Sequence, residues 1–322
     1  MQPIIELKSE LEGIIKLEII KEDGTLKEAK GLNIPFKNLI TNAGLNYITG
    51  GYSAYNRDIP SAFKYCRVGT SSVTPTVFDT ALGNQTGSVS PLGSLTNTVQ
   101  YKTNPYYSDH KRVYTFAVGA VSGNLTEIGF FSDTTNAIMW SRALIKDSGG
   151  NPTTLTLLAT EQLKVTYTVR KYMPASSTGS FTLNTNGTNS TINYTVTPAN
   201  ITANNSTYCS LYYEGSVIYL SESQTLGPVN DFPTGSVYAA GGTISPYVTN
   251  SFEMEASHTV ATTRCNFTTG IGSMLFGSYT YTAYESPAYL LYQCSFSPKI
   301  MKTSSQTLNI RIKLSCGRST QQ

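Results

Sequence analysis

Short runs in which apolar and polar residues alternate recur along this chain, and turn-forming residues separate them. A period of two places the apolar side chains on one face of a β-strand. The strongest predicted strands lie at residues 113–118, 125–131, 137–145 and 163–170. Many short strands separated by turns favour a β-sandwich over a parallel sheet with crossover helices. We therefore predict an all-β protein.

The N-terminal region predicts a β-hairpin over residues 14–32. Ile15, Leu17 and Ile19 alternate with polar residues, and residues 22–24 read Glu-Asp-Gly. Asp-Gly between two alternating runs is a strong short-range hairpin signal. We place the return strand at residues 25–29.

Residues 38–48 are the best helix candidate in the sequence. Thr41 or Asn42 can cap its first turn, and Leu45 and Ile48 then share one face. The prediction is a short helix after the hairpin.

We predict tandem β-sandwich domains after this hairpin and helix. The segments are a docking hairpin and helix at 1–60, a β-sandwich at 61–171, and a distal β-sandwich at 172–322. Composition changes at the second boundary: residues 1–171 contain 17 basic and 14 acidic residues, whereas residues 172–322 contain 6 of each.

The distal segment is either a diverged copy of the first sandwich or an unrelated sandwich. Three loose similarities in the same order suggest a copy: residues 211–228 with 65–84, 252–276 with 114–131, and 308–314 with 163–169. Both alternatives predict an all-β distal segment.

Charge and composition exclude several kinds of partner. Only 13% of the residues are charged, and the formal net charge is +3. This balance argues against nucleic acid and against an anionic membrane as partners. The basic run at residues 110–112 is interpreted as a solvated strand start. No apolar run is long enough to span a membrane, and the N-terminus lacks a secretory signal pattern.

The five cysteines are widely spaced and favour free buried thiols over a metal site. They are Cys66, Cys209, Cys265, Cys294 and Cys316. No CxxC or Cys/His ligand spacing occurs, so a zinc site is not predicted. We predict no cofactor.

The candidate acid–base residues are sparse and indicate solvated loops or strand ends. They are Glu127, Asp133, Asp147, Glu161, Glu253, Glu255 and Glu285. A glycosidase needs two carboxylates that converge on a cleft, and the sequence singles out no pair. Glu253 and Glu255 lie on one face of a predicted strand, either as its wet face or with a divalent cation between them.

Nucleophile and phosphate motifs are also missing from the sequence. The two histidines, His110 and His258, are not accompanied by a Gly-x-Ser-x-Gly elbow, and His110 is interpreted as a surface residue. Residues 69–71 lack the lysine of a P-loop. We predict a protein that is not an enzyme.

Tyrosine is the feature of the distal segment that is suited to binding. The chain has 22 tyrosines, and two groups of them fall in this segment. A tyrosine offers a large contact area with a polar tip, which suits a subunit interface or a sugar-stacking surface. The candidate interface or ligand residues are Tyr212, Tyr213, Tyr279, Tyr281 and Tyr284.

The order of motifs between residues 65 and 170 resembles a domain of tailed-bacteriophage virion proteins. These are tail-fibre bases, collar proteins and baseplate-associated proteins. The motifs are Cys66-Arg67-Val68-Gly69-Thr70, residues 78–82, 113–116, 125–131, 139–145 and 163–170, and residues 39–45 are similar to the short helix that precedes them. The resemblance places Trp140 in the sandwich core with Phe116, Ile128 and Phe130.

This resemblance implies a structural component of a tailed-phage virion that acts through protein–protein assembly. It implies a homotrimer bound to other proteins of the tail, collar or portal region, made in the host bacterial cytoplasm and then located in the virion. Free thiols agree with that reducing compartment. One alternative is a fibre or spike that binds host surface glycan. Another is a depolymerising enzyme, although no long β-helical repeat occurs.

Overall fold

A computed structural model of the chain confirms an all-β fold with a small helical part. The structure describes residues 4–28, 33–49, 59–101, 104–173, 176–198, 216–221, 224, 237–240, 244–249, 253–260, 270–278, 289–301, 303, 306 and 308–320.

The described elements are numbered in chain order. The first part contains β1 (Ile4–Ile20), β2 (Phe36–Lys37), β3 (Leu39–Ile40), α1 (Asn42–Thr49), α2 (Ile59–Ala62), β4 (Tyr65–Gly69), β5 (Gln85–Thr86), β6 (Ser94–Tyr101), β7 (Tyr106–Thr115), β8 (Gly123–Leu125), β9 (Glu127–Phe131), β10 (Met139–Leu144), β11 (Leu155–Leu157) and β12 (Gln162–Met173). The second part contains β13 (Ser177–Thr185), β14 (Thr188–Pro198), β15 (Ser216–Ser221), β16 (Val237–Ala240), β17 (Ile244–Thr249), β18 (Glu253–Val260), β19 (Ile271–Ser278), β20 (Tyr289–Ile300) and β21 (Leu308–Arg318).

These strands form two large sheets and two smaller ones. The eight-stranded sheet has the order β17-β18-β21-β1-β12-β7-β6, with β2 also paired to β1. The six-stranded sheet has the order β13-β14-β20-β19-β15-β16. A five-stranded sheet, β3-β10-β9-β4-β5, and a two-stranded sheet, β11-β8, complete the described set.

The central strand β1 is shared by two hydrophobic cores. Its apolar residues recur with a period of two, so one face is buried along nearly its whole length. Ile5 and Leu7 lie in the second core, whereas Leu11 and Ile15 lie in the first. β1 pairs in parallel with β21 through residues 4–11 and antiparallel with β12 through residues 10–20. The segment predicted for docking thus contributes to both cores, and its docking role stays a prediction.

The predicted N-terminal turn is present, but its return strand is shorter than expected. Lys21 donates its backbone N–H to the Thr25 carbonyl and Lys27 donates to the Ile19 carbonyl, both at 2.8 Å. Among the described residues of the return segment, the strand-like pairing is the bridge between Ile20 and Leu26. One side of β1 is occupied by β12 and the other by β21 and β2. On that second side, residues 16–20 of β1 lie beyond the β2 pairing, and the return segment reaches them there, with the Asn33 N–H donating to the Leu17 carbonyl at 3.0 Å.

The predicted helix is present as α1, with Thr41 as its cap. The Thr41 hydroxyl accepts a hydrogen bond from the Gly44 N–H at 2.9 Å, and Leu45 and Ile48 are fully buried. The helix begins later than predicted because residues 39–40 form β3 against β10 instead.

The same antiparallel pairing order occurs twice along the chain. In the first series β4 pairs β5 and β9, β9 pairs β10, and β10 pairs β3. In the second, β15 pairs β16 and β19, β19 pairs β20, and β20 pairs β14. Likewise β6-β7-β12 matches β17-β18-β21 on opposite sides of β1. A duplicated chain would produce this arrangement.

The first core contains the residues that were predicted to fill it. Trp140, Phe116, Ile128 and Phe130 are all fully buried in one cluster. The Trp140 indole N–H donates to the Tyr167 hydroxyl at 2.8 Å, so its polar atom is satisfied.

The cysteines that the structure describes are free and buried, as predicted. They are Cys66, Cys294 and Cys316. Burial raises the pKa of the Cys66 and Cys294 thiols, which keeps them protonated and unreactive. Cys209 and Cys265 lie outside the described residues.

Candidate interaction surface

The five predicted interface tyrosines lie outside the part of the chain that the structure describes. They are Tyr212, Tyr213, Tyr279, Tyr281 and Tyr284. Their role stays a prediction. The surface that the structure does define is formed by a loop between β4 and β5.

Glu127 is the organising residue of this surface, and its predicted solvent exposure is wrong. Its side chain is fully buried at the start of β9. Its carboxylate accepts backbone N–H groups of Asn84 at 2.8 Å, Gly83 at 3.1 Å and Ser71 at 3.3 Å. A buried carboxylate needs such partners because the loss of hydration is otherwise uncompensated.

Arg142 on β10 neutralises Glu127 from the neighbouring strand. Its Nε lies 2.8 Å from Glu127 Oε2, and Nη1 lies 2.7 Å from Asp79 Oδ2. Nη2 donates to the Val73 carbonyl at 3.0 Å. One guanidinium therefore links a core strand to two points of the loop at residues 70–84, which we call the anchored loop.

Gly69, the last residue of β4, lies too close to Glu127 and to the end of the anchored loop to carry a side chain. A Cβ atom added at Gly69 would lie 2.4 Å from Glu127 Oε1 and 2.4 Å from the Asn84 carbonyl oxygen. The absence of a side chain at Gly69 allows β4 and the returning chain to enclose the carboxylate.

Asp79 holds the turn at the tip of the anchored loop. It accepts the Thr76 hydroxyl at 2.7 Å and the Thr76 N–H at 3.1 Å. Burial opposes ionisation of Asp79, but the hydrogen bonds from Arg142 and Thr76 outweigh burial and lower its pKa. Conversely, burial alone would lower the pKa of Arg142, and its two carboxylate partners raise it. Both groups are therefore charged at neutral pH.

The anchored loop presents apolar side chains to solvent. Phe78 is 77% exposed and Val73 is 66% exposed. The loop backbone around them is fixed by Arg142, by Asp79 and by the Asn42 N–H, which donates to the Val77 carbonyl at 2.7 Å. The result is an exposed apolar contact surface on a backbone with few alternative conformations.

The other candidate carboxylates are not brought together with Glu127. Asp133 is exposed and accepts the Thr134 N–H, and half-buried Asp147 accepts the N–H groups of its own turn. Glu161 is buried, contrary to prediction, because it pairs with Lys27 at 2.8 Å. The side chains of Glu253, Glu255 and Glu285 lie outside the described set.

The predicted surface position of His110 is also wrong. On β7 the inward face consists of Ser108, His110, Arg112 and Tyr114, and His110 is fully buried. Arg112 is accommodated inside because it donates to the Pro60 and Gly93 carbonyls at 3.1 and 2.6 Å. The buried face of β7 is therefore mostly polar, so the pattern of apolar residues does not identify which face of this strand is buried.

Among the residues that the structure describes, no group of three or more His, Cys, Asp or Glu side chains could hold a metal ion. This finding does not test the predicted cation between Glu253 and Glu255, since their side chains are not described. No described helix is long and apolar enough to cross a membrane.

No protein-family profile matches the chain, and neither the curated proteins nor the solved structures show a significant similarity to it. The resemblance to phage virion proteins is therefore supported by the sequence motifs alone.

Proposed function

We propose that this protein is a structural, non-enzymatic component of a tailed-phage virion, located at the tail, collar or baseplate and acting through protein–protein assembly. The motifs between residues 65 and 170 support the phage assignment. The anchored loop supports assembly as the mode of action, and it is the observation that carries the proposal.

The anchored loop has the physical properties of a preformed docking surface. Ordering a flexible loop on binding costs free energy, and a loop that is already fixed avoids that cost. Phe78 and Val73 would lose most of their exposed apolar area against a partner, which favours association. The buried Glu127–Arg142–Asp79 cluster supplies the rigidity.

The same cluster is poorly suited to acid–base catalysis. The Glu127 carboxylate is occupied by three backbone donors and a guanidinium, and its exposed fraction is zero. A general base must reach a substrate proton directly or through one water. Stabilising a loop is the role that fits this geometry.

The location can be tested on particles purified from a culture that produces the protein. We expect mass spectrometry to detect the chain in the particles, and gold-labelled antibodies to mark the tail, collar or baseplate in electron micrographs. A protein that is absent from purified particles would overturn the proposal.

The docking surface can be tested by complementing phage that lack the gene with a Val73→Ser/Phe78→Ser variant. We expect at least a tenfold loss of incorporation into particles. The control is Leu158→Ser, which replaces an exposed apolar residue, 55% exposed, outside the anchored loop. Equal incorporation of both variants, with unchanged circular dichroism, would rule out the anchored loop as the docking surface.

A further inference from the structure

The strand β13 is an edge strand without the features that normally protect an edge. Of the described strands, only β14 pairs with it, and their register is regular over all nine residues. Its sequence, Ser-Thr-Gly-Ser-Phe-Thr-Leu-Asn-Thr, has no charge and no proline. Long, regular, uncharged edges are templates for pairing with another strand.

The other described edges of these sheets differ from β13. In the eight-stranded sheet β17 contains Pro246, and β6 has a bulge between Thr96 and Val99. β16 has four residues, and β3 and β5 have two each. Proline, bulges and short length all hinder edge-to-edge pairing. Of the edges that can be compared, β13 alone is open.

The far end of the β13–β14 hairpin extends beyond its core. Phe181 and Ile192 are the last buried pair, and no side chain from residue 182 to residue 191 is buried. Asn186 and Gly187 close the hairpin with φ of 51° and 86°, as a type I′ turn requires. An isolated two-stranded ribbon is marginally stable in water, so a third strand would stabilise it.

The charge distribution favours a second copy of this chain as that partner. No residue from Tyr172 to Tyr213 is charged. In a two-fold contact a segment meets its own copy, so a segment with charges of one sign would repel that copy. Because this segment carries no charge, no such repulsion opposes the contact.

We propose that β13 pairs antiparallel with β13 of a second copy about a two-fold axis, which joins two six-stranded sheets into one continuous sheet. The contact is made by backbone hydrogen bonds along the open edge and does not depend on the proposed virion function. A two-fold contact gives an even number of subunits, whereas the trimer implied by the resemblance needs a three-fold contact.

The test is a Ser180→Lys/Thr182→Lys double variant, which flanks the central residue of β13 on its exposed face. Adjacent strands lie about 4.8 Å apart, so the contact would bring these ammonium groups together. The matched control is Thr191→Lys/Asn193→Lys, at the paired, exposed positions of β14. There the charges of two copies would be about 14 Å apart, beyond the roughly 8 Å screening length of physiological salt.

We expect light scattering after gel filtration to give an even subunit number for the wild type, a twofold lower mass for the β13 variant, and the wild-type mass for the β14 control. Mixing the β13 lysine variant with Ser180→Glu/Thr182→Glu should restore the higher mass. Circular dichroism should show that every variant is folded.

A wild-type monomer or trimer, or a lysine variant that keeps the wild-type mass, would overturn the β13 contact. Neither result bears on whether the protein is found in purified particles. The failure of this inference and the failure of the proposed function are therefore separate observations.

Discussion

At the scale of single residues, two buried charged side chains hold the anchored loop in place. Glu127 and Arg142 are among the protein's least exposed charged side chains, and both act on the anchored loop rather than on the core around them. Removing one member of a buried ion pair leaves the other without compensation and is strongly destabilising. The conformation of the anchored loop therefore depends on a carboxylate from outside the loop.

A Glu127→Gln variant tests this dependence. The amide keeps the shape but loses the charge and places an NH₂ group among donors, so we expect a loss of about 3–5 kcal/mol in the free energy of unfolding. Chemical denaturation measures it. The exposed carboxylate of Glu22 provides the control, since Glu22→Gln should change stability by less than about 0.5 kcal/mol. Equal effects of the two variants would contradict the role of Glu127.

The lowered pKa of Asp79 predicts a pH dependence. Its folded pKa lies below that of the unfolded chain, so its stabilising contribution is fully present above about pH 4 and is lost as the pH falls through the folded pKa. The wild type should therefore be more stable than Asp79→Asn at pH 7, and the difference should shrink in acid. Denaturant unfolding across this pH range gives the comparison, and a difference that is independent of pH would refute it.

At the scale of elements, turns and edges decide which strands pair. The β13–β14 hairpin was not predicted from the sequence, although Asn-Gly between alternating runs is the strongest short-range hairpin signal. Its apolar positions are few and are spread over two strands, so the alternation is weak. The turn itself determines the register, because both of its residues adopt positive φ.

A Gly187→Ala variant should weaken this hairpin by about 1–2 kcal/mol, because φ is 86° at this position and a Cβ atom is disfavoured there. Hydrogen exchange of the β13–β14 amides is the measurement. Gly317 on β21 is the matched control: it has open space for a Cβ atom and no positive φ, so Gly317→Ala should leave exchange unchanged. Unchanged protection in Gly187→Ala would contradict the turn assignment.

At the scale of the whole molecule, β1 couples two hydrophobic cores, and its neighbours β12 and β21 also contribute residues to both. Its residues lie in both clusters, and it pairs β21 from the C-terminal end with β12 from the middle. A shared central strand cannot leave one sandwich without disturbing the other. We therefore expect the two cores to unfold together.

The single tryptophan of the chain, Trp140, reports on the first core alone. Phe296 lies in the second core and is 1% exposed, so Phe296→Ala should cost about 3–5 kcal/mol. If β1 couples the cores, this variant shifts the tryptophan fluorescence midpoint and the circular dichroism midpoint equally. A fluorescence midpoint that does not move would show that the sandwiches unfold independently. Phe78→Ala, an exposed aromatic position, is the control and should shift neither midpoint.

The local part of this fold was readable in the amino-acid sequence. Alternation located the strand that leads to β12, and short apolar-rich runs between turns located those that lead to β9 and β10. Thr41 marked the helix cap, Asp-Gly marked the first turn, and the spacing of the cysteines predicted free thiols. These features depend on residues close together in the chain, where period, capping and turn chemistry act directly.

Only the tertiary structure decided which strands are neighbours and which polar side chains are buried. The parallel pairing of β1 with β21, the burial of Glu127 and the inward position of His110 all depend on segments far apart in sequence. A charged side chain can be buried only when other segments supply its hydrogen-bond and ion-pair partners, as Arg142 and the loop N–H groups do for Glu127. Sequence spacing does not encode that meeting, because it is the pairing of β4 and β10 with β9 in one sheet that produces it.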